Sequence, residues 1–359
     1  MLVIPAKAGI HGRQLLFLVA LSKTKPRPFP PSREYKQEKA TGAAPAKLAA
    51  MADLLARILF FLAALLTRLP WPWLLRLGDG IATLMLRRNT REARVARRNL
   101  ELIQPDLLPA QRDELQQRIV HTTARQAIET LRLWTHPHTE NLALIRERHG
   151  VELFDSAIAA GRGVIVAAPH YGNWELLNQW LASHTPLAIL YAPPESEIGD
   201  AFLRRVRADD ANASRVTQVR AEGPGVRQLF KILKDGGVVG ILPDQQPKQG
   251  DGEFAPFFGV PALTMTLLGR LAHRTGAAVV FAWCERIDSG RDGQPAFALH
   301  IEAAPEAVAD ADPVIAVTAL NTGVERIARR DPSQYQWTYK RFTLRPSGSG
   351  YDNPYRGIR

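Results

Sequence analysis

A base and a carboxylate able to work together stand in "AAPHYGNWELLNQW" (Ala167 to Trp180), namely His170 and, five positions on, Glu175. Side chains that meet on one helix face lie three or four residues apart, so this pair does not share a helix face. A strand-to-helix turn suits it better. With the imidazole on the turn and the acid in the first helical turn, the carboxylate can bend back to orient the base. No protein nucleophile accompanies the pair, so the chemistry it permits is direct attack. His170 would deprotonate a substrate hydroxyl, which then attacks an activated acyl or phosphoryl group. Glu175 would fix the tautomer and stabilise the imidazolium, as the acid of a catalytic triad does. A further candidate is Asp244 in "GILPDQQP" (Gly240 to Pro247), directly after a strand-like run, where a turn or helix-capping role competes with a site role. In a chain with nine histidines an accidental His–Glu pairing is the competing reading, and the surrounding elements must decide.

"GVIVAAP" (Gly163 to Pro169) is short, apolar and β-branched, and reads as a buried strand. "NWELLNQWLASH" places Trp174, Leu177 and Leu181 at helical spacing behind Asn173, a side chain suited to capping. Strand-like and helix-like runs alternate from there. "PLAILYAP" and "GVVGILPD" read as strands, "GDAFLRRVRADD" and "GVRQLFKILKDG" as helices. "LTMTLLGRLAHRTG" reads as a helix closed by Gly276, followed by strands in "AAVVFAWCERI" and "AFALHIEAA". Such alternation predicts an α/β fold, a mixed and largely parallel sheet flanked by helices. Sites in open α/β sheets form at strand ends, and both candidate motifs lie at such ends. Residues 106–160 read as mostly helical.

The chain carries a formal charge of +11, which suits nucleic acid, an anionic membrane or an anionic substrate without choosing among them. Cys284 is the sole cysteine, which rules out an intrachain disulfide framework and a multi-cysteine zinc site. Its strand-like setting marks it as a packing residue. The phosphate-cradling, dinucleotide, HExxH and GxSxG signatures are all absent. Residues 1–50 are proline- and lysine-rich and read as disordered, or as an extension ahead of a start at Met51. Residues 51–86 read as a membrane-anchoring apolar segment. A full span needs roughly 20 apolar residues, and the clean run Ile58 to Leu66 is shorter, so embedding in one leaflet and a marginal span both stay open. Trp71 and Trp73 suit headgroup depth, and the cluster from Arg87 to Arg98 suits a cytoplasmic membrane face. No recognised nucleic-acid module is present.

"HYGNWE" matches the H-x4-[DE] signature of glycerolipid-type acyltransferases and resembles, in its glutamate form, the late acyltransferases of lipid A biosynthesis. "GVVGILPDQQP", "APFFGVPALT" and "PSQYQWTYKRFTLRP" extend the resemblance across nearly the whole chain from Met51. It implies a single acyltransferase domain over residues 87–345, and the Gly/Pro-rich composition of 346–359 reads as a loose tail. It also implies transfer of a fatty acyl chain from acyl carrier protein to the hydroxyl of a 3-hydroxyacyl chain on an anionic lipid A precursor. The reaction would take place at the cytoplasmic face of the inner membrane, without a metal or organic cofactor. Carried over by residue, His170 is the base and Glu175 its partner. Asp244, Arg220, Lys340 and Arg341 are expected to contact substrate. Many members read "YRP" where this chain has "YAP", so Ala192 lacks a guanidinium and leaves the acceptor open. Another glycolipid or an acylglycerol phosphate is the alternative acceptor, and a catalytically silent membrane-surface protein the alternative of a different class.

Overall fold

The computed structural model describes residues 44–191, 196–208, 215–221, 223–287 and 293–358. Five helices come first: α1 (Ala44–Leu66), α2 (Trp71–Arg87), α3 (Arg91–Ile103), α4 (Pro109–Leu133) and the short α5 (His138–Leu142). Next come β1 (Ile145–His149), α6 (Val151–Ala159), β2 (Val164–Ala167), α7 (Trp174–His184) and β3 (Leu187–Tyr191). The alternation continues with α8 (Glu197–Ala208), β4 (Val216–Arg220), α9 (Gly223–Lys234) and β5 (Val238–Ile241). A hairpin of β6 (Gly252–Phe257) and β7 (Val260–Met265) precedes α10 (Leu267–Thr275), β8 (Ala278–Ile287), β9 (Ala296–Ala303) and α11 (Pro313–Ala328).

Seven strands form one sheet in the order β1-β9-β8-β2-β5-β3-β4. β8, β2, β5, β3 and β4 run parallel, and β9 turns antiparallel against β8 with β1 parallel to it. The expected mixed, largely parallel sheet is therefore present. Its central strands are buried along their whole length, as strands covered on both faces must be. Successive side chains point to opposite faces. Ile165 and Ala167 of β2 join one apolar layer with α3, α9, α10 and α11, while Val164 and Val166 join the other with α4 and α7.

Several local expectations change. β1 lies in the stretch read as helical; its sequence "IRERH" is exposed beyond its first residue, so edge pairing with β9 forms it without an apolar alternation. The "LTM" read into a helix belongs to β7, and the helix starts at Leu267. The apolar N-terminal segment is two helices, broken at Pro70 and bent by 116°. Among the described residues no single helix is long and apolar enough to cross a membrane; only this bent pair passes by length and composition together. Ala56 and Ala63 of α1 pack on Phe202, Leu203 and Val206 of α8, while Met51, Leu54, Ile58, Phe61 and Leu65 face outward. Part of the arginine cluster serves the fold: Arg97 pairs with Asp113, and Arg98 donates to the Pro354 carbonyl at 2.9 Å.

The C-terminal residues, read as a loose tail, dock instead. Tyr355 is buried, its hydroxyl bonding the Asn99 Oδ1 on α3, and Lys340 Nζ donates to the Ile358 carbonyl. Asn99, itself buried, donates to the carbonyls of Trp337 and Tyr339 at 2.6 and 2.8 Å. One α3 amide thus ties three points of the C-terminal segment: Trp337, Tyr339 and Tyr355. Tyr355→Phe leaves the Asn99 carbonyl oxygen buried without this donor. It should lower unfolding stability by about 1–3 kcal/mol, read from the urea midpoint; an unchanged midpoint would show that the clamp carries no stability.

Candidate active site

The turn between β2 and α7 is held at almost every backbone group. Asn173 N donates to the Cys284 carbonyl at 2.8 Å, Gly172 N to that of Gln334 at 3.1 Å, and Gln336 N to that of His170 at 3.0 Å. Gly172 sits at φ 58°, and a Cβ there would lie 1.9 Å from the Cys284 oxygen, so the turn requires glycine. Asn173 caps α7 by accepting from Leu176 N at 3.1 Å, as its position in the sequence predicts. Tyr171 anchors the turn from the far side, its hydroxyl donating to Glu285 Oε1 at 2.6 Å. Glu285 is also held by Arg330 at 2.8 Å and faces His300 Nε2 at 3.2 Å. Burial works to raise the Glu285 carboxyl, but the hydrogen bonds from His300, Arg330 and Tyr171 prevail and hold it at about 2.

His170 emerges from this turn with 2% of its surface exposed. Its Nδ1 lies 2.7 Å from Asp244 Oδ1, and its backbone N–H donates to Asp244 Oδ2 at 2.9 Å. The Tyr335 hydroxyl also hydrogen-bonds to Asp244. Burial alone would raise the Asp244 carboxyl. The charge of His170, its two hydrogen bonds and that of Tyr335 outweigh burial and leave the carboxyl below its ordinary value. Burial and the neighbouring Asp244 charge push the Tyr335 hydroxyl well above its ordinary range, so it remains a donor. An ionised Asp244 accepts a hydrogen bond from Nδ1–H, which leaves the Nε2 lone pair as the basic atom. Trp174 meets the ring edge-on at 5.0 Å. Gln245 Nε2 lies 3.0 Å from His170 Nε2 and donates to Gln336 Oε1 at 3.2 Å.

The residues singled out in the sequence have separate fates. His170 and Asp244 come together because β2 and β5 are parallel neighbours, so their C-terminal ends adjoin. Asp244, expected to contact substrate, is instead the carboxylate that orients His170 Nδ1, the place the sequence reading assigned to Glu175. Glu175 is in the first turn of α7, largely buried, and its Oε2 accepts from Trp134 Nε1 at 3.3 Å. Arg220 is exposed at the end of edge strand β4. It shares the sheet edge with His170, but three strand steps of about 4.8 Å separate β4 from β2.

Arg341, expected to contact substrate, is buried inside the fold. It is 2% exposed, bonded to the Leu263 carbonyl and to Thr264 Oγ1, and lies over the Phe257 ring at 5.6 Å. Its charge serves to fasten the C-terminal segment to the β6–β7 hairpin. Lys340 lies over the Tyr355 ring at 5.9 Å and reaches the tail. Ala192 lies outside the described residues. Cys284 is fully buried in β8, and burial pushes its thiol up, as befits a packing residue. Gln245, Tyr335 and Gln336 were missed as site residues. Their signal was present in "PDQQP", noted for Asp244, and in "PSQYQW", a segment that the resemblance had singled out. Among the described residues no group of three His, Cys, Asp or Glu side chains is placed to hold a metal ion.

The model of the bacterial lipid A biosynthesis acyltransferases matches residues 47–343, most of the chain and all of the site. The chain belongs to that family. It is 29% identical to a lipid A biosynthesis lauroyltransferase of Escherichia coli K12, over 79% of this chain and 90% of that protein. Identity to a palmitoleoyltransferase of the same organism is 27%, over 78% and 88%. A phosphatidylinositol mannoside acyltransferase of Mycobacterium tuberculosis is 28% identical over a shorter stretch, 38% of this chain and 42% of that protein. The protein is thus an acyltransferase of lipid A biosynthesis.

The anchoring of the turn has a pH signature. A carboxyl held below its ordinary value of 4.5 contributes stability that is complete above that pH and is lost as pH falls toward about 2. Glu285→Gln should therefore unfold at lower urea than the parent at neutral pH, and the gap should close below pH 4.5. A gap that stays constant through this range would show that the Glu285 charge contributes nothing.

Proposed function

We propose that the protein transfers a fatty acyl chain from acyl carrier protein to the hydroxyl of a 3-hydroxyacyl chain on an anionic lipid A precursor, with His170 as general base. One observation carries this reading. The Nδ1 of His170 is engaged by a buried, ionised Asp244, which leaves Nε2 as a base at the C-terminal edge of the sheet. In the proposed step the acceptor hydroxyl gives its proton to Nε2 as its oxygen attacks the thioester carbonyl. Collapse expels the carrier's thiolate, which takes that proton from the imidazolium. Neither a metal nor an organic cofactor enters this sequence. Glu175 stands in the first turn of α7 beside the base, and Arg220 on the same sheet edge offers a positive charge to an anionic substrate. The lauroyl- and palmitoleoyltransferase names of the relatives support the reaction class and the lipid A acceptor.

Transfer by protein in native membranes, with carrier-loaded chains of several lengths and a tetra-acylated precursor, tests the reading. His170→Ala should lower turnover by about 10²–10⁴-fold. Asp244→Asn, which keeps the shape but not the charge, should lose a comparable factor through the wrong tautomer. Undiminished turnover in His170→Ala would sink the proposal.

The same reading places the enzyme on the cytoplasmic face of the inner membrane. Support comes from the outward residues of α1, from Trp73 (60% exposed) on α2, and from the excess of basic residues. An apolar face of this kind gains free energy at about 25 cal/mol per Å² on leaving water. Replacing Phe61, Leu65 and Trp73 together by serine should shift the protein from the membrane pellet to the supernatant. Retention of the triple variant in the pellet would argue against this face as the anchor.

A further inference from the structure

The neighbour of His170 Nε2 is the side-chain amide of Gln245, which donates to the very lone pair that a base must keep free. An attacking hydroxyl has to come within about 2.6–3.2 Å of Nε2 to surrender its proton, and the Gln245 nitrogen already stands at 3.0 Å. The acceptor oxygen and the amide therefore compete for one position. Gln245 is only half-buried, as a residue that yields to substrate must be. Its second N–H is held by Gln336 Oε1 at 3.2 Å, a tether that keeps the amide nearby when it yields Nε2. Gln336 in turn donates its backbone N–H to the His170 carbonyl, so amide and base are tied to one frame.

We infer that Gln245 is a catalytic residue: its N–H, displaced from His170 Nε2 by the acceptor hydroxyl, is re-aimed at the acyl oxygen and stabilises the oxyanion. This rests on the acyl-transfer reading above. As the hydroxyl proton passes to Nε2, a bond forms between its oxygen and the thioester carbon, and the carbonyl π pair moves onto the acyl oxygen. That oxygen accepts the hydrogen bond from Gln245 Nε2. The pair then returns, the carbon–sulfur bond breaks, and the leaving sulfur is protonated by the imidazolium. An oxyanion donor must lie close to the developing charge and be preorganised. The Gln336 tether limits the reorientation to a short movement beside the base, and a neutral amide adds no charge next to it. Two other residues of the "PDQQP" motif have partners of their own. Asp244 is spent on Nδ1, and the Gln246 Oε1 accepts from Leu344 N at 2.8 Å.

The test compares full-length wild type, Gln245→Met, Gln245→Ala and Gln245→Glu with His170→Ala, using acyl carrier protein thioester and tetra-acylated precursor. Methionine keeps the bulk without the donor, and alanine guards against misfitting of the thioether. Both should lower kcat by about 10²–10³-fold while KM stays within about threefold. Glutamate would set a carboxylate against a ring already faced by Asp244, itself bonded to Tyr335. It should move the acidic limb of the kcat/KM profile to higher pH, a shift that loss of packing alone does not produce. Active wild type with kcat undiminished in both Gln245→Met and Gln245→Ala would overturn the role of Gln245 alone. Wild-type turnover no greater than that of His170→Ala would sink the acyl-transfer reading, and this inference with it.

Discussion

An ionised carboxylate inside a protein costs several kcal/mol unless hydrogen bonds replace its water, and Asp244 is buried to 2% exposure. Three donors meet that demand: the backbone N–H and Nδ1 of His170, and the hydroxyl of Tyr335. They come from two distant parts of the chain, the turn after β2 and the C-terminal segment. The carboxylate that orients the base therefore has all three donors only when the segment bearing Tyr335 is docked. This dependence accounts for much of the surrounding architecture.

The docking of that segment is itself a set of buried polar bonds. Asn99 holds the carbonyls of Trp337 and Tyr339, Arg341 reaches into the β6–β7 hairpin, and Tyr355 closes over Asn99. Each of these groups is costly if left unpaired, so the segment docks fully or not at all. Phe257, Tyr335, Trp337 and Phe342 supply an aromatic cluster around the same place. Packing gives the segment its stability, and the polar bonds give it one register. That register delivers Tyr335 to Asp244 and Gln336 to Gln245.

Residue type alone was a poor guide to the roles of the arginines. Arg97, Arg98 and Arg341 stand in basic runs that suggest an anionic partner, yet each is committed at least in part to the protein's own acids or carbonyls. A guanidinium with five donors and a stacking face suits an internal clamp as well as it suits a phosphate. Arg341 is buried, whereas Arg97 and Arg98 stay partly exposed, so it is the partners supplied by the fold that reveal the internal use.

The α/β alternation, the strand-to-helix turn at His170, the Asn173 cap and the packing role of Cys284 were legible in the sequence, because each rests on local periodicity or on a neighbour within a few residues. β1 and β4 were not. Edge strands with polar faces carry little apolar alternation, and it is their partners that make them strands. The bent α1–α2 pair and the docked tail likewise depend on surfaces elsewhere in the chain. In the site, the motifs announced that His170, Glu175 and Asp244 mattered, but their order along the chain favoured Glu175 as the orienting acid because it was near. Asp244 is 74 residues away from His170. It reaches the imidazole because β2 and β5 pair in parallel and end side by side. That pairing, and the docking of the segment bearing Tyr335 and Gln336, are long-range contacts paid for by burial of the whole sheet, so only the tertiary structure decided them.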